Sequence, residues 1–409
     1  MTRPLEGTRV LDLSRVLAGP LVTQMLGDLG AEVIKIEKPG EGDDSRTYGP
    51  PFLATADGRR TRESGFYLSA NRNKRSVTID LATEAGQDLA RRIARQSDVV
   101  VENFRVGSLA KFGLDYASLS ALNPRLVYLS ITGYGQTGPM AQHPGYDAIF
   151  QASGGHMAVT GAPDNLTGGG PMRSGLSIVD ILTSLYATIA VLAALNHRDR
   201  SPDGRGQYID VALLDSMVAT LSHRGVQYLM SRKPSPRRGN VGAGGSPSGA
   251  FKCADGLIVL TVGNDLQWQR FCIAIDRAEM ASDPRFITAT GRIENREALS
   301  PVLEAMFAAK SKAHWLEVLQ TADIPSGPVN ELPEVFADPQ VRERGMVVSV
   351  PHPISGVLDL IASPIRFSET PIDRYEAPPT LGQHTESVLR DLLGVGESEL
   401  RALKEANII

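Results

Sequence analysis

Over the first 130 residues, short apolar, β-branched runs alternate with helical ones, and that alternation leaves few architectures open. TRVLDL (Thr8–Leu13) reads as a strand. SRVLAGPLVTQMLGDLG follows, with Pro20 suited to an early helical turn and Gly30 to the helix end. AEVIKIE then returns as a second strand that ends in the charges of Glu37 and Lys38. Strand, helix and strand in this order make a βαβ unit. SVTIDL, the helical EAGQDLARRIARQ, DVVVENF and LVYLSI repeat the alternation, so the class is α/β.

The rest of the chain changes character in steps. Gly40–Ser64 is polar and rich in Gly, Pro, Asp and Arg, which predicts a surface loop carrying function. After Gly133 the glycine-rich segments GYGQTGP, HPGYDAIFQASGG and GGGP offer close backbone approach to a ligand. A long apolar helix is expected from Ser177 to His197, then the strand QYIDVAL. Near residue 230, SRKPSPRRGNVGAGGSPSG has no apolar periodicity and reads as a boundary. Beyond it, two strands around Asp255-Gly256 and three short amphipathic helices predict a smaller α+β unit. The expected domains are therefore 1–225, 226–330 and a C-terminal return, 331–409.

Composition narrows the function classes. With 409 residues, 42% hydrophobic and 22% charged, the chain is ordinary soluble-globular material for two or three domains. Its 42 basic residues against 46 acidic ones leave no positive field for a nucleic-acid backbone. Cys253 and Cys272 are too few and too far apart for a cysteine zinc site or a disulfide framework, so a reducing, cytoplasmic setting is expected. The start lacks the apolar core of an export signal. IVDILTSLYATIAVLAALNH carries Asp180 and ends in charge, which predicts a buried core helix and no membrane span. Fingerprints for dinucleotides, nucleoside triphosphates, zinc peptidases and serine hydrolases are missing, and the seven histidines have no metal-binding spacing. No metal site is expected.

Asp180 stands out as a carboxylate in apolar company, so it must be capped, paired or used. A helix-start carboxylate accepting backbone N–H groups and a carboxylate nucleophile facing glycine-rich loops both satisfy the local pattern. Composition leaves the two open.

Several long segments resemble one family. DLSRVLAGPLVTQMLGDLGAEVIKIEKPGEGDDSR, NRNKRSVTIDL, VENFRVGSLAKFGL, ITGYGQTGP, GYDAIFQASGG and the block from GLSIVD to GRGQYIDVALLDS resemble, in the same order, the class III CoA-transferases of the CaiB/BaiF type. The likeness runs over about residues 5 to 390. It implies a Rossmann-like large domain with a smaller α+β domain, in open-ring subunits that thread into an interlocked homodimer. It also implies Asp180 as the nucleophile, passing through aspartyl anhydride and aspartyl-CoA thioester intermediates. Coenzyme A and acyl-CoA are then substrates, and no tightly bound cofactor is required.

The same resemblance assigns the other site residues. Val16 and Ala18 would pack beside adenine. Lys38, Arg72, Lys74, Arg75 and Arg105 would meet the phosphates of CoA, which ask for cations. Gly242, Gly244 and Gly245 correspond to a mobile glycine loop over the intermediate. Tyr146 stands in Gly145-Tyr146-Asp147, where the α-methylacyl-CoA racemases of the superfamily carry histidine; tyrosine is a poor proton exchanger near pH 7, which disfavours a racemase. Tyr146 would orient substrate or pack under it, with Asp147 structural through backbone hydrogen bonds. The C-terminal half looks most like the succinyl-CoA-dependent branch, which acts on malate, mesaconate, itaconate, citramalate or 3-hydroxy-3-methylglutarate. Arg173 and Arg46 are the cations expected for a second carboxylate. Alternatives are a formyl-CoA, carnitine or aromatic-acid transferase, and a non-catalytic CoA-binding protein.

Overall fold

The computed structural model describes residues 3–242 and 245–409. Two compact units emerge: residues up to His156 with Ser174–Ser231 and Arg342–Ile409, and Met157–Arg173 with Arg232–Val341. The division departs from the sequence boundaries in three places. Helical continuation through 222–231 carries the first unit past residue 225. The C-terminal return begins at 342 instead of 331. Residues 157–173 join the second unit, tied there by Gly239 N–H to Gly161 O at 2.8 Å and Arg237 Nη1 to Ala158 O at 3.0 Å.

The first unit is built on six parallel strands: β1 Arg9–Asp12, β2 Glu32–Glu37, β3 Lys74–Thr78, β4 Val99–Glu102, β5 Val127–Thr132 and β6 Tyr208–Ala212. Their order is β3-β2-β1-β4-β5-β6. The winding reverses between β1 and β4, opening a crevice at the carboxyl ends of those strands, the place where open α/β sheets bind ligands. Alternation along β1 explains the two cores: Val10 packs into one and Leu11 into the other. Helices α1 Ala18–Asp28, α2 Glu84–Arg95, α3 Asp147–Ser153, α4 Ile178–Arg200 and α5 Leu213–Thr220 supply the covering layers. Residues Val388, Leu389, Leu400 and Leu403 of the C-terminal return close the core on the Leu11 face. Helix α2 shows the local logic: Thr83 Oγ1 accepts the Gly86 N–H at 3.1 Å, Glu84 sits in the first turn, and Arg92 and Arg95 sit in the last.

Two expectations are corrected here. Gly40–Ser64 lies at the surface over most of its length but is anchored into the fold rather than being a plain loop. Asp43, Ser45, Arg46 and Ser64 are buried, around the short helix Asp44–Thr47 and the hairpin of Phe52–Ala54 with Arg60–Ser64. Helix α4 is buried on one side only. Val179, Ala187 and Val191 are sealed in the core, whereas Leu185, Tyr186 and Ile189 are exposed. It is long and apolar enough to cross a membrane by length and composition, and less than half of that stretch is buried.

The second unit has its own core around Trp268, Phe271, Phe307 and Leu319. Its antiparallel sheet pairs Ser248–Cys253 with Gly256–Thr261, and the latter with Ser326–Pro328. The hairpin turn falls on Ala254-Asp255, one residue before the expected pair.

Candidate active site

The turn from β1 into α1 is held by buried charge. Asp12 Oδ1 accepts the Ser14 N–H at 2.9 Å and the Ser14 hydroxyl at 2.5 Å, while Oδ2 accepts from Thr23 Oγ1 at 2.6 Å and pairs with Lys74 Nζ at 3.0 Å. Lys35 Nζ donates to Ser14 O at 2.7 Å and pairs with Asp43 Oδ2 at 2.9 Å. All four side chains are shut off from solvent. Gly19 is required beside this turn, because a Cβ there would lie 2.3 Å from Ser14 Cβ.

The turn forms one wall of a cleft of about 360 Å³ at the switch point. Arg15–Ala18 follow β1, Asn103–Val106 follow β4, Ile131–Gly133 end β5, and Ala141–Tyr146 lead into α3. Asp180 sits on the wall between them, three residues into α4. Asn103 ties two walls together: its Oδ1 accepts the Arg15 N–H at 2.9 Å and its Nδ2 donates to Arg15 O at 2.7 Å. A second cleft, of about 320 Å³, shares Arg15, Asp44 and Phe104 with the first and is lined also by Lys38, Glu41 and Asp80.

Asp180 is half-buried and has no cation partner among the described residues. The start of α4 is capped from elsewhere: Ser177 supplies no side-chain cap, and Asp147 Oδ1 accepts the Val179 N–H at 2.8 Å and the Asp180 N–H at 3.4 Å. Asp147 is thus structural through backbone hydrogen bonds, as its sequence position suggests. Gln151 braces it, donating from Nε2 to Asp147 Oδ2 at 2.5 Å and accepting the Ser174 N–H at 2.7 Å. Burial pushes the Asp180 carboxyl up to about 7, and the charge of Asp147 adds to the rise. Asp180 is therefore a basic carboxylate facing a cleft, the arrangement of a nucleophile or proton acceptor. Asp147→Asn keeps an acceptor and removes the charge. It should lower the Asp180 pKa by about one unit, measured by carboxyl ¹³C titration; an unmoved midpoint would remove Asp147 as a cause.

The structure sorts the expected cations. Arg105 is exposed on the cleft with Asp180, Val16 and Ala18. Lys38 lines the second cleft, paired with Glu41 at 2.7 Å. The other three are occupied within the fold and line neither cleft. Arg72 is bound by Asp28 at 2.9 and 2.5 Å and by Ile361 O at 2.9 Å. Lys74 is spent on Asp12, Pro20 O and Asn71, and burial pulls its ammonium down to about 8. Arg75 pairs with Glu32 at 2.8 Å. Arg46 is likewise enclosed, by Glu37, Glu63 and Tyr67, so a substrate contact is replaced by an internal one.

Tyr146 is 69% exposed on the cleft with Asp180. Arg173 is an exposed residue of the second unit. Gly242 and Gly245 also belong to that unit. Arg296 Nη2 reaches their carbonyls at 3.3 and 3.0 Å, and Gly242 packs so close to Ser248 that a Cβ would lie 2.2 Å from its hydroxyl. Gly244 lies outside the described residues. Among the described residues, no group of three or more His, Cys, Asp or Glu could hold a metal ion. Sequence reasoning missed Arg15, Asn103, Phe104 and Asp44 as wall residues. Arg15 and the Asn103-Phe104 pair do lie in segments that directly follow strands β1 and β4, which is the available signal.

Comparison with known proteins places this geometry among relatives. The model of CoA-transferase family III matches residues 5–385. A succinate–glutarate CoA-transferase of Agrobacterium fabrum is 45% identical over 390 residues, covering 95% of this chain and 96% of the relative. A human succinyl-CoA:glutarate CoA-transferase is 40% identical over 407 residues, covering 100% and 90%. The crystal structure of a CaiB/BaiF family protein from Brucella suis superimposes with a TM-score of 0.87 at 40% identity, covering 96% of this chain and all of that one.

Proposed function

The chain belongs to CoA-transferase family III, and from that premise we propose that it moves CoA from succinyl-CoA to a small dicarboxylic acid, with Asp180 as nucleophile. The observation that carries the reading is a basic carboxylate, without a cation partner among the described residues, at the start of α4 on the wall of the switch-point cleft. The Asp180 carboxylate attacks the thioester carbonyl, the C–S bond breaks, and CoA thiolate leaves an acyl-aspartyl anhydride. The thiolate then attacks the aspartyl carbonyl, releasing succinate and forming an aspartyl-CoA thioester. The acceptor carboxylate displaces the thiolate in turn, forming a second anhydride. Attack of the thiolate on the acceptor's acyl carbon yields the new acyl-CoA and frees Asp180. Thioester and anhydride have similar transfer potential, so no ATP is consumed.

The adjoining clefts suit an elongated ligand. The thioester end would occupy the cleft of Asp180, and the nucleotide the second cleft, where Lys38 offers a cation. For the acceptor, the names of the two relatives above put glutarate beside malate, mesaconate, itaconate, citramalate and 3-hydroxy-3-methylglutarate. Incubating the protein with succinyl-CoA and each acid, without ATP, should produce free succinate and one new acyl-CoA by mass spectrometry. No transfer to any diacid defeats the substrate reading.

The homodimer is proposed on the same footing. Leu185, Tyr186 and Ile189 of α4, and Val226, Leu229 and Met230 of α6 (Ser222–Ser231), are exposed apolar side chains that a second copy would cover. Light scattering should give twice the 43.9 kDa chain mass, and a monomer at micromolar concentration contradicts it.

A further inference from the structure

Val16 is a strained residue in a functional wall. Its φ is +71°, and among the described non-glycine residues with positive φ it is the one β-branched case. Branching at Cβ makes this conformation costly, so it persists only where its surroundings over-determine it. Besides the Asp12, Lys35 and Asn103 contacts to Ser14 and Arg15, Asp43 holds Val16 itself. Its Oδ1 accepts the Val16 N–H at 3.1 Å, together with the Ser45 N–H at 2.9 Å and hydroxyl at 2.7 Å. Its Oδ2 pairs at 2.9 Å with Lys35, whose ammonium also holds Ser14 O. Asp43 touches one cleft through Val16 and lines the other itself.

We propose that Asp43 is a positioning residue for CoA, holding Val16 in its left-handed conformation within the Ser14–Ala18 turn so that the two clefts form one continuous binding surface. The assignment rests on the CoA-transferase reading above. Asp43 lies beneath the wall and acts through Val16, so its contribution belongs to ligand binding and not to the chemical steps at Asp180.

A double-mutant cycle tests this, with CoA alone as the probe in equilibrium binding and acyl-CoA KM and kcat as kinetic readouts. Asp43→Ala should weaken CoA binding and raise KM by about tenfold or more, with kcat within about threefold. Glycine adopts positive φ without help. In a Val16→Gly background the same Asp43→Ala change should therefore cost about threefold or less. Asp43→Asn, which keeps an acceptor but loses the Lys35 pair, provides a milder variant should Asp43→Ala not fold; its penalty should shrink in the Val16→Gly background in the same way. An equal penalty in both backgrounds, or a loss confined to kcat, overturns the assignment. Wild-type protein that binds no CoA overturns the functional reading and this assignment with it, whereas a variant binding CoA as tightly as wild type overturns the assignment alone.

Discussion

Asp180→Asn should give a folded protein whose CoA transfer is at least about 10⁴-fold slower than wild type, because an amide cannot form the anhydride on which each later step of the proposed mechanism depends. Hydroxylamine trapping in the presence of succinyl-CoA should label residue 180 in the wild type and nothing in the variant. The raised carboxyl adds two tests. With a pKa of about 7, the wild-type rate should fall tenfold per pH unit on the acid side of neutrality. Stability should move the other way. A carboxyl that is harder to ionise folded than unfolded costs nothing below its unfolded pKa of about 3.8. The cost grows as pH rises from there and is complete above about 7. At about 1.4 kcal/mol per pH unit, the full cost is of order 2–4 kcal/mol for this half-buried group. Asp180→Asn removes it, so calorimetry should show the variant melting above wild type by more at pH 8 than at pH 5. Turnover near wild type in the variant would remove Asp180 from the mechanism.

Which parts of this molecule were legible in sequence follows from the range of the interactions involved. Strands β1, β2, β4, β5 and β6 are short runs whose apolar residues are local, and each coincides with an expected strand to within a few residues. Strand β3 begins two residues before the expected SVTIDL, at Lys74, because lysine in a strand reads as surface. Its burial depends on Asp12, 62 residues earlier, and no local pattern announces that partner. The same blindness made Arg72 and Arg75 look available. Asp180 could be singled out from its helix-start position, but the cap that orients it comes from Asp147, 33 residues away. The cleft exists because the sheet order reverses between β1 and β4, a property of the assembled sheet.

Arg46→Met should lower the melting temperature by about 6–15 °C, the consequence of leaving two buried carboxylates without their cation at a cost of about 3–5 kcal/mol. Arg46 is 3% exposed and meets Glu37 through Nε and Nη2, each at 2.8 Å, and Glu63 through Nη1 at 2.8 and 2.7 Å. Its guanidinium lies 3.7 Å from the Tyr67 ring centroid, and Nη2 also donates to Tyr67 Oη at 2.6 Å and Pro379 O at 3.1 Å, pinning the C-terminal return. Burial alone would raise the Glu37 pKa; the hydrogen bonds and charge of Arg46 outweigh it and hold this carboxyl below its ordinary 4.5. A carboxyl depressed in the folded state stabilises above its unfolded pKa and loses that contribution as pH falls. The gap in melting temperature between wild type and Arg46→Met should therefore be widest near neutrality and close below about pH 4.5. Adding Glu37→Gln and Glu63→Gln to Arg46→Met should recover part of the lost stability, since the stranded charges are then gone. A substrate-binding arginine would behave differently: KM for the acceptor acid would rise with melting unchanged, and the glutamine changes would restore nothing.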